Sequence, residues 1–365
     1  MRWIRYSKIL LLIALAGPVV AAERAPLFQD DVIMKAVLTA PISQAYEQSD
    51  QNVRIYFPGQ WTYIDNEGET QRLDVSIRTR GNFRREYCDL KPLQLNFKKS
   101  QVKGTQFKAQ NKLKLVAPCG PGPTAQQNVL MEYMAYRIFE ILTDRSFGTR
   151  LMRLSYIDSD GQKDSWTDLV FVIEDDGDVA KRLKLDPLRV AYNEFDQLEQ
   201  STTALVELFQ LMIGNNDYSV LKGPDGDFCC HNIEMFVDEN AVGKRIPIPF
   251  DFDMSGLVYA DYSAPPSHLP IKSVRTRFYR GLCQPTEVLD AAIAHILSKR
   301  GEIMALFTET EELSRLSRKR TSNYMEKYFE LLEDEEELAE QIVGRCRGME
   351  HLEELMAQER PTALN

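Results

Sequence analysis

The chain has 365 residues and a formal net charge of −10, because 54 acidic side chains outnumber 44 basic ones. An acidic chain of this kind lacks the basic surface that binds nucleic acid, so no nucleic-acid partner is expected. Four histidines, none paired at helical spacing, disfavour a zinc enzyme. The length allows one large two-lobed domain or two domains.

The first 22 residues have the pattern of an export signal. Three basic side chains among the first eight residues precede an apolar run from Ile9 to Ala16, and small residues fit cleavage after Ala21 or Ala22. The apolar run is too short to span a bilayer, which needs about 20 residues. We therefore expect an exported protein, periplasmic or secreted, with no transmembrane segment in the mature chain. Its formal net charge would be about −13 once the three basic residues are removed.

The six cysteines are too few for a disulfide scaffold in a chain of this length. In an exported protein some of them should pair, but spacing alone does not give the connectivity. Cys229 and Cys230 are neighbours, and neighbouring cysteines rarely bridge each other comfortably. We therefore predict at least one disulfide that involves this pair and joins it to a distant cysteine such as Cys283.

The first half of the chain has the pattern of strands. Five short runs within residues 32–118 are rich in β-branched and aromatic side chains and are separated by turn residues. These runs are VRIYF, QWTYI, LDVSIRT, PLQLNF and NKLKLV. Apolar residues at helical spacing then predict a helix over 125–142, with Thr124 as its cap. Two further strands, RLMRLSYID and DLVFVIED, follow within residues 150–175.

The second half has mainly the pattern of helices. An apolar face predicts a helix over 191–213, and helical segments continue from Pro285 onward. Strands with one helix, followed by mostly helix, match an α+β fold of the bilobal protein-kinase-like kind. The predicted β-rich N-lobe covers residues 32–175, and the predicted helical C-lobe covers residues 176–357.

The segment from Leu211 to Leu257 places acidic and amide side chains at the ends of apolar runs. Asp217 follows the first run, Asn232 opens a short strand-like run, and Asp251 and Asp253 end another. Oxygen ligands of these types suit a hard divalent cation, which in phosphoryl transfer bridges phosphate oxygens. Each piece alone is more often a turn than a site, because Asn and Asp side chains hydrogen-bond the local backbone. Their combination within some forty residues favours a phosphate and metal site.

Four blocks in this order resemble the spore coat protein H (CotH) family of atypical secreted kinases. The blocks are RTRGNFRREYCDLKPLQLNF, the helix after NKLKLV, the VFVIED strand, and the GNND…HN…IPFDFD segment. Together they span about residues 74–260. The resemblance implies transfer of a phosphoryl or nucleotidyl group from ATP bound with Mg²⁺ or Mn²⁺. The acceptor would be an unidentified protein or small molecule.

The resemblance also implies roles for the residues of the last block. Asp217 would be the catalytic aspartate that accepts the proton of the acceptor hydroxyl. Asn232 and Asp251 would hold the metal ion, with Asp253 as the rival ligand. His231 is interpreted as a structural turn histidine.

Four residues outside that block would bind the nucleotide. Lys91 would contact the phosphates and pair with Glu132, while Glu174 would lie on the adenine side. Arg80 belongs to a group of arginines that would bind phosphates through two hydrogen bonds each, or would cover an exposed hairpin. Lys98 and Lys99 compete with Lys91, and Glu140 competes with Glu132.

Two departures from kinase patterns leave other functions open. Asn232 lies fifteen residues after Asp217. In ordinary protein kinases the metal-binding Asn follows the catalytic Asp by only five residues. No Gly-x-Gly-x-x-Gly loop precedes Lys91. Loss of metal binding would leave a pseudokinase-like envelope binding protein. The Asp251-x-Asp253-x-Ser255 motif also resembles the nucleophile motif of haloacid-dehalogenase-type phosphatases, although the residues after it favour helices over an α/β sheet.

Overall fold

The computed structural model describes residues 23–48, 50, 53–224, 226–238 and 243–348, so the predicted export signal lies outside the described residues. Seven of the strands in these residues form a closed barrel. Their bounds are β1 Met34–Ala40, β2 Phe57–Ile64, β3 Thr70–Thr79, β4 Leu93–Phe97, β5 Lys112–Val116, β6 Thr149–Asp158 and β7 Trp166–Ile173. Their order around the barrel is β1-β2-β3-β4-β5-β7-β6, and the parallel pairing of β1 with β6 closes it.

The barrel closes around its own apolar core. In β1, β2 and β3 buried residues alternate with more exposed ones, as expected for strands with one face inside. Trp61 is fully buried there and contacts Phe97 and Phe107 edge to face, with ring centroids 6.1 Å apart in both pairs. Such aromatic contacts add to the free energy gained by burying the rings.

The predicted bilobal protein-kinase-like fold is wrong, because the strands close into a mixed seven-stranded barrel. The sequence patterns miss β1, and this strand pairs antiparallel with β2 and parallel with β6. The run VRIYF was predicted as a strand, but only its last residue, Phe57, belongs to one. Closure depends on a pairing across more than a hundred residues, which local periodicity does not encode.

The helices lie beside and after the barrel. Their bounds are α1 Ile42–Glu47, α2 Phe83–Tyr87, α3 Pro123–Leu142, α4 Asp176–Leu183, α5 Gln200–Ile213, α6 Thr286–Ser298, α7 Arg300–Glu309, α8 Arg315–Glu333 and α9 Glu335–Gln341. Short 3₁₀ helices cover Pro26–Phe28, Phe195–Gln197 and Val343–Arg345. A small antiparallel sheet has the order β10-β9-β8, with β8 Asp186–Pro187, β9 Ile233–Val237 and β10 Arg245–Pro249.

The main predicted helices exist, with different ends. The helix predicted over 125–142 is α3, but Gly122 is its cap and Pro123 opens it, so Thr124 lies inside the first turn. The helix predicted over 191–213 begins only at Gln200, where the Glu199 carboxylate accepts from the Thr202 N–H. The region assigned to one helix, 32–175, also holds α1 and α2.

A second apolar core joins the helices to the outside of the barrel. Tyr133 and Tyr136 of α3 pack on Phe171 of β7, and Phe139 packs on Phe209 of α5. The buried faces of α5, α6 and α8 continue this core. Helix α3 therefore packs against both the barrel and the helical part and joins them.

All six cysteines form disulfides, and the pairing differs from the prediction. Cys229 and Cys230 bridge each other, while Cys283 pairs with Cys346 and Cys88 with Cys119. Cys283 meets Cys346 because backbone hydrogen bonds pair residues 281–283 with Arg347. The expected link from Cys229–Cys230 to Cys283 is therefore wrong.

Two features bear on where the protein resides. Three disulfides fit an oxidising compartment, as the export prediction requires. Within the part of the chain that the structure describes, no helix has both the length and the apolar character to cross a membrane. Export itself stays a prediction.

A buried carboxyl group lies in the middle of α5. Glu207 has no exposed surface, and its Oε2 accepts a 2.8 Å hydrogen bond from the backbone N–H of Leu282. Burial raises the pKa of Glu207 from its ordinary value of 4.5 to about 8, although the hydrogen bond from Leu282 and the charge of Arg347 oppose the increase. The folded protein therefore holds this proton at neutral pH.

This proton makes the stability of the fold depend on pH. Because the pKa of Glu207 is raised on folding, its contribution is full below about pH 4.5 and is lost as the pH rises through about 8. In the unaltered protein the free energy of unfolding should fall by up to about 1.4 kcal/mol per pH unit in this range. In Glu207→Gln, which keeps the acceptor for Leu282, we expect this decrease to be absent. Urea unfolding of both proteins at pH 6 and pH 9 measures the difference. Equal losses in the two proteins would contradict the expectation.

Candidate functional site

A cavity of about 300 Å³ opens between the barrel and the helical part. Its walls come from the loop after β3 with α2, from α3 and β5, and from the segments around α5, β9 and β10. Most of the predicted site residues line it. They are Arg80, Glu132, Asp217, Asn232, Asp251 and Asp253.

The β9–β10 hairpin brings two distant parts of the sequence together. Ile233 pairs with Pro249, and the next residue pair continues the register, since the Phe250 N–H donates to the Asn232 carbonyl at 3.1 Å. Asn232 and Asp251 thus leave the hairpin side by side. Both have left-handed backbone, with φ of 52° and 59°, a conformation that Asn and Asp tolerate better than most residues. This turn of the chain directs the two residues into the cavity wall.

Both oxygens of the Asp217 carboxylate are held by neighbours. α5 ends at Gly214 in the left-handed conformation, and the Asn215 side chain then accepts from the Asp217 N–H at 2.9 Å. His231 Nε2 lies 2.9 Å from Asp217 Oδ1, and Asn232 Nδ2 donates to Oδ2 at 3.0 Å. The hydrogen bond to Asp217 raises the pKa of His231, against the effect of burial. Asp217 is thus oriented while 39 % of its side chain stays exposed.

Arg84 is the buried cation of the site. Its Nη1 donates to Glu132 Oε2 at 3.1 Å, its Nη2 donates to the Ala117 carbonyl, and it lies 4.0 Å from Asp253 Oδ2. Burial alone would lower the pKa of Arg84, but the neighbouring Tyr262 hydroxyl and the Glu132 and Asp253 carboxylates raise it. Arg84 therefore stays charged.

Several acidic side chains crowd around the single positive charge of Arg84. Burial raises the pKa of Glu132 to about 8, with Arg84 opposing and Asp253 adding to the increase. Burial and the charge of Asp251 raise the pKa of Asp253 to about 7, although Tyr262 donates to its Oδ2 at 3.0 Å. The backbone N–H of Asp251 donates to the Tyr136 hydroxyl, whereas its carboxylate has no hydrogen bond or ion pair to another described residue. These acids crowd one side of the cavity.

Arg80 supplies a second positive charge. It lines the cavity, and no carboxylate of the described residues lies within ion-pair distance of its guanidinium. Burial lowers its pKa, while Asp251 and the other nearby acids oppose this effect. An arginine placed in this way can bind an anion that enters the cavity.

Two predicted residues lie elsewhere. Lys91 Nζ donates to the Arg85 carbonyl at 2.6 Å and borders another cavity, so its predicted pairing with Glu132 is wrong. Arg84 takes that place. Glu174 is 1 % exposed and accepts from Arg182 at 2.9 and 3.1 Å and from the Gly148 N–H at 2.9 Å, so it is structural and does not line the cavity.

Lys114 lines the cavity, and the sequence patterns did not select it. Its Nζ lies 3.2 Å from Asp176 Oδ1 and 5.2 Å from the centroid of the Phe250 ring. The alternation in KLKLV contained the signal, because Leu113 and Leu115 are buried and Lys114 must then face the other side of β5. His231 was interpreted as a turn residue, but its contact with Asp217 places it in the site.

The oxygens that remain fit a hard divalent cation. Since both Asn232 amide hydrogens are used toward the backbone and side-chain oxygens of Asp217, its Oδ1 is left as an acceptor at the cavity wall. The Asp251 carboxylate, which has no partner among the described residues, lines the same cavity. Burial and then the charge of Asp251 raise the pKa of the neighbouring Asp253. The described residues contain no ready cluster of three or more His, Cys, Asp and Glu side chains for a metal ion. A cation here would therefore take further ligands from water or phosphate.

The comparisons with known proteins are negative. A scan against protein-family models found no matching family, and a search of the curated proteins found no significant match. The resemblance to the spore coat protein H family therefore remains a hypothesis based on the quoted motifs.

The position of Arg84 leads to a prediction about stability. We expect Arg84→Met to lower the free energy of unfolding by about 3–5 kcal/mol, because it leaves buried carboxylates without a counter-charge. Lys91→Met, which loses one hydrogen bond to a carbonyl, should cost about 1 kcal/mol. Urea unfolding at pH 9 compares the variants. At pH 6 the cost of Arg84→Met should shrink, since Glu132 and Asp253 can bind protons there; equal costs for both variants would refute the assignment.

Proposed function

We propose that this protein binds ATP with Mg²⁺ or Mn²⁺ and transfers a phosphoryl or nucleotidyl group to an acceptor hydroxyl. The observation that carries the proposal is the convergence of an oriented aspartate, a metal-type oxygen pair and unpaired arginine charge in one cavity. The resemblance to the spore coat protein H family of atypical kinases supports the same activity. The predicted export would place this reaction outside the cytoplasm.

Asp217 is the proposed base. Its carboxylate is partly exposed and both its oxygens are oriented by His231 and Asn232, so it can accept a proton from a hydroxyl group that reaches it. Because the two neighbours fix the carboxylate before the acceptor arrives, little conformational entropy is lost on reaching the reactive geometry. His231 and Asn232 are positioning residues in this scheme.

Asp251 and Asn232 are the proposed metal ligands, with Asp253 adjacent. A divalent cation bound there would neutralise phosphate oxygens and the charge that develops during transfer. Arg84 holds Asp253 and Glu132 in place from the buried side. Two of the acidic side chains on this side of the cavity are thus held by a buried cation before any nucleotide enters.

Other residues of the cavity offer places for the rest of the nucleotide. Arg80 has no ion-pair partner among the described residues and can bind phosphate oxygens. Val116, Ile173 and Phe250 give this cavity apolar surface that suits a nucleobase. Lys114, paired with Asp176, lies 5.2 Å from the centroid of the Phe250 ring.

The alternatives fit the geometry less well. A haloacid-dehalogenase-type nucleophile follows a strand of a parallel α/β sheet, whereas β10 before Asp251 pairs antiparallel with β9. A binding protein without activity would not need both oxygens of Asp217 oriented toward the cavity. Both alternatives make distinct predictions for the variants below.

The first test concerns the cation. We expect Mg-ATP to raise the melting temperature and ATP with a chelator to leave it unchanged, because the triphosphate binds these acids only with its charge neutralised. At 100 times its Kd the complex adds about 2.7 kcal/mol to the free energy of unfolding, enough for a clear thermal shift. Asp251→Asn should lose the shift, and the exposed Asp290→Asn is the matched control. No shift with millimolar Mg-ATP in the unaltered protein would rule out the active-kinase proposal.

The second test separates the base from the metal ligand. Asp217→Asn should keep the affinity for Mg-ATP and lower turnover by about 10²–10⁴, the usual loss when a general base is removed. Asp251→Asn should abolish both. Nucleotide affinity and turnover are measured for each variant, together with hydrolysis of a simple phosphate ester.

Each alternative gives a different outcome. A phosphatase would hydrolyse the ester without nucleotide, would lose that activity in Asp251→Asn and would keep it in Asp217→Asn. An inactive binding protein would show no turnover before any substitution. Unchanged affinity in both variants would show that the site residues are assigned wrongly.

A further inference from the structure

A second cavity, of about 410 Å³, lies beside the site and is lined by arginines. Arg280 lines one side, and Arg345 and Arg347 line the other, next to the disulfide between Cys283 and Cys346. His268 borders the same cavity. None of the described residues that line it is acidic.

These arginines are not neutralised by the surrounding protein. No carboxylate of the described residues lies within ion-pair distance of the three guanidinium groups, and Arg347 Nε is buried without a hydrogen-bond partner there. Arg345 lies 5.1 Å from the centroid of the Phe278 ring, a contact that leaves its donors available. Burial lowers the pKa of Arg280, and the nearby charge of Arg347 adds to this decrease. Glu207 interacts electrostatically with Arg347, but burial raises the pKa of Glu207 to about 8, so this carboxyl group does not neutralise Arg347 at neutral pH.

The positive charge stands out against the rest of the chain. The whole sequence has a formal net charge of −10, so a cavity whose described lining includes three arginines and no acid is a local reversal of sign. Concave sites lined by one sign of charge focus the field and attract the opposite charge. Guanidinium groups bind carboxylates through pairs of hydrogen bonds.

Arg280 connects this cavity with the proposed base. Its Nη1 donates to the carbonyl of Asn216 and lies 3.5 Å from the carbonyl of Tyr218, the two residues that flank Asp217. The arginine cavity is thus linked through Arg280 to the loop that carries Asp217, and it shares no described lining residue with the nucleotide cavity. To use both places, an acceptor must be extended, with its hydroxyl group at Asp217 and its anionic group a short distance along the chain.

We infer that the arginine cavity recognises an acidic polypeptide acceptor by binding a carboxylate side chain near the hydroxyl group that is modified. The inference rests on the proposed function and names its acceptor class. Leu269, Phe278 and Tyr279 give the cavity apolar surface for the methylene groups of a glutamate side chain. Arg345 is the specificity residue to alter, because Arg280 also supports the loop that holds Asp217.

The experiment compares two peptides with the full mature protein. Both contain one serine, flanked by glutamates in one peptide and by glutamines in the other. We expect the KM for the glutamate peptide to be about tenfold lower, as for the gain of a charged hydrogen-bonded pair, and the difference to shrink at high salt. Arg345→Gln should remove the preference and Arg345→Lys should retain part of it. Lys35→Gln, an exposed charge on β1, is the matched control and should change nothing.

Three results would overturn the inference. They are equal KM values for both peptides with the unaltered protein, a preference that survives in Arg345→Gln, and loss of Mg-ATP affinity in Arg345→Gln. The last would make the cavity part of the nucleotide site. Inorganic phosphate that binds at this cavity without any peptide preference would also count against a polypeptide.

Failure of the proposed function would look different. In that case the unaltered protein would bind no Mg-ATP and would modify neither peptide. Fluorescence anisotropy with labelled peptides then tests the cavity alone. Tighter binding of the glutamate peptide, dependent on Arg345, would support recognition of acidic polypeptides by a protein without kinase activity, and equal binding would end the inference.

Discussion

The buried guanidinium of Arg84 is the contact on which the site depends. It joins α2 to Glu132 of α3, to the Ala117 carbonyl after β5, and to Asp253 beyond β10. Each of these parts lies in a different section of the sequence. A charge buried this deeply is tolerated only with hydrogen-bond acceptors and acidic side chains around it, so the elements that supply them must pack together.

Two neighbouring cavities have opposite electrostatic character. The first has an excess of carboxylates around Asp251, and the second has arginines without carboxylates. Asp217 lines the first cavity from the loop that follows α5, and Arg280, which lines the second, donates hydrogen bonds to that loop. Separating the charges in this way lets one side favour a cation and its phosphate ligands while the other favours an acidic chain. Mixed in one cavity, the same side chains would neutralise each other.

The sequence was informative wherever a residue acts locally. Asp217 and Asp251 follow apolar runs and Asn232 opens one. The β9–β10 hairpin brings Asn232 and Asp251 together, and Asn232 donates to the Asp217 carboxylate. The prediction that Lys91 pairs with Glu132 was wrong, because the sequence near a predicted strand does not show which way a lysine side chain points. Arg84, on the short helix α2, makes the contact with Glu132 instead. Glu174 follows a strand, as its motif required, yet its carboxylate turns to Arg182. The prediction of the overall fold was wrong for a related reason. Periodicity in the sequence indicates where strands lie, but it does not show which strands pair with each other.

Closure of the barrel has a consequence for how the chain must be made. A strand at the edge of an open sheet exposes unpaired N–H and C=O groups that invite other chains to add to it. In the finished barrel β1 lies between β2 and β6 and leaves no such edge in the ring. While the chain is being synthesised, however, β1 to β5 are complete long before β6 and β7 appear. Until residue 173 is available, the nascent sheet has two open edges, because β7 is the strand that joins β5 to β6. A holding chaperone or rapid completion of the chain must keep these edges apart from other molecules.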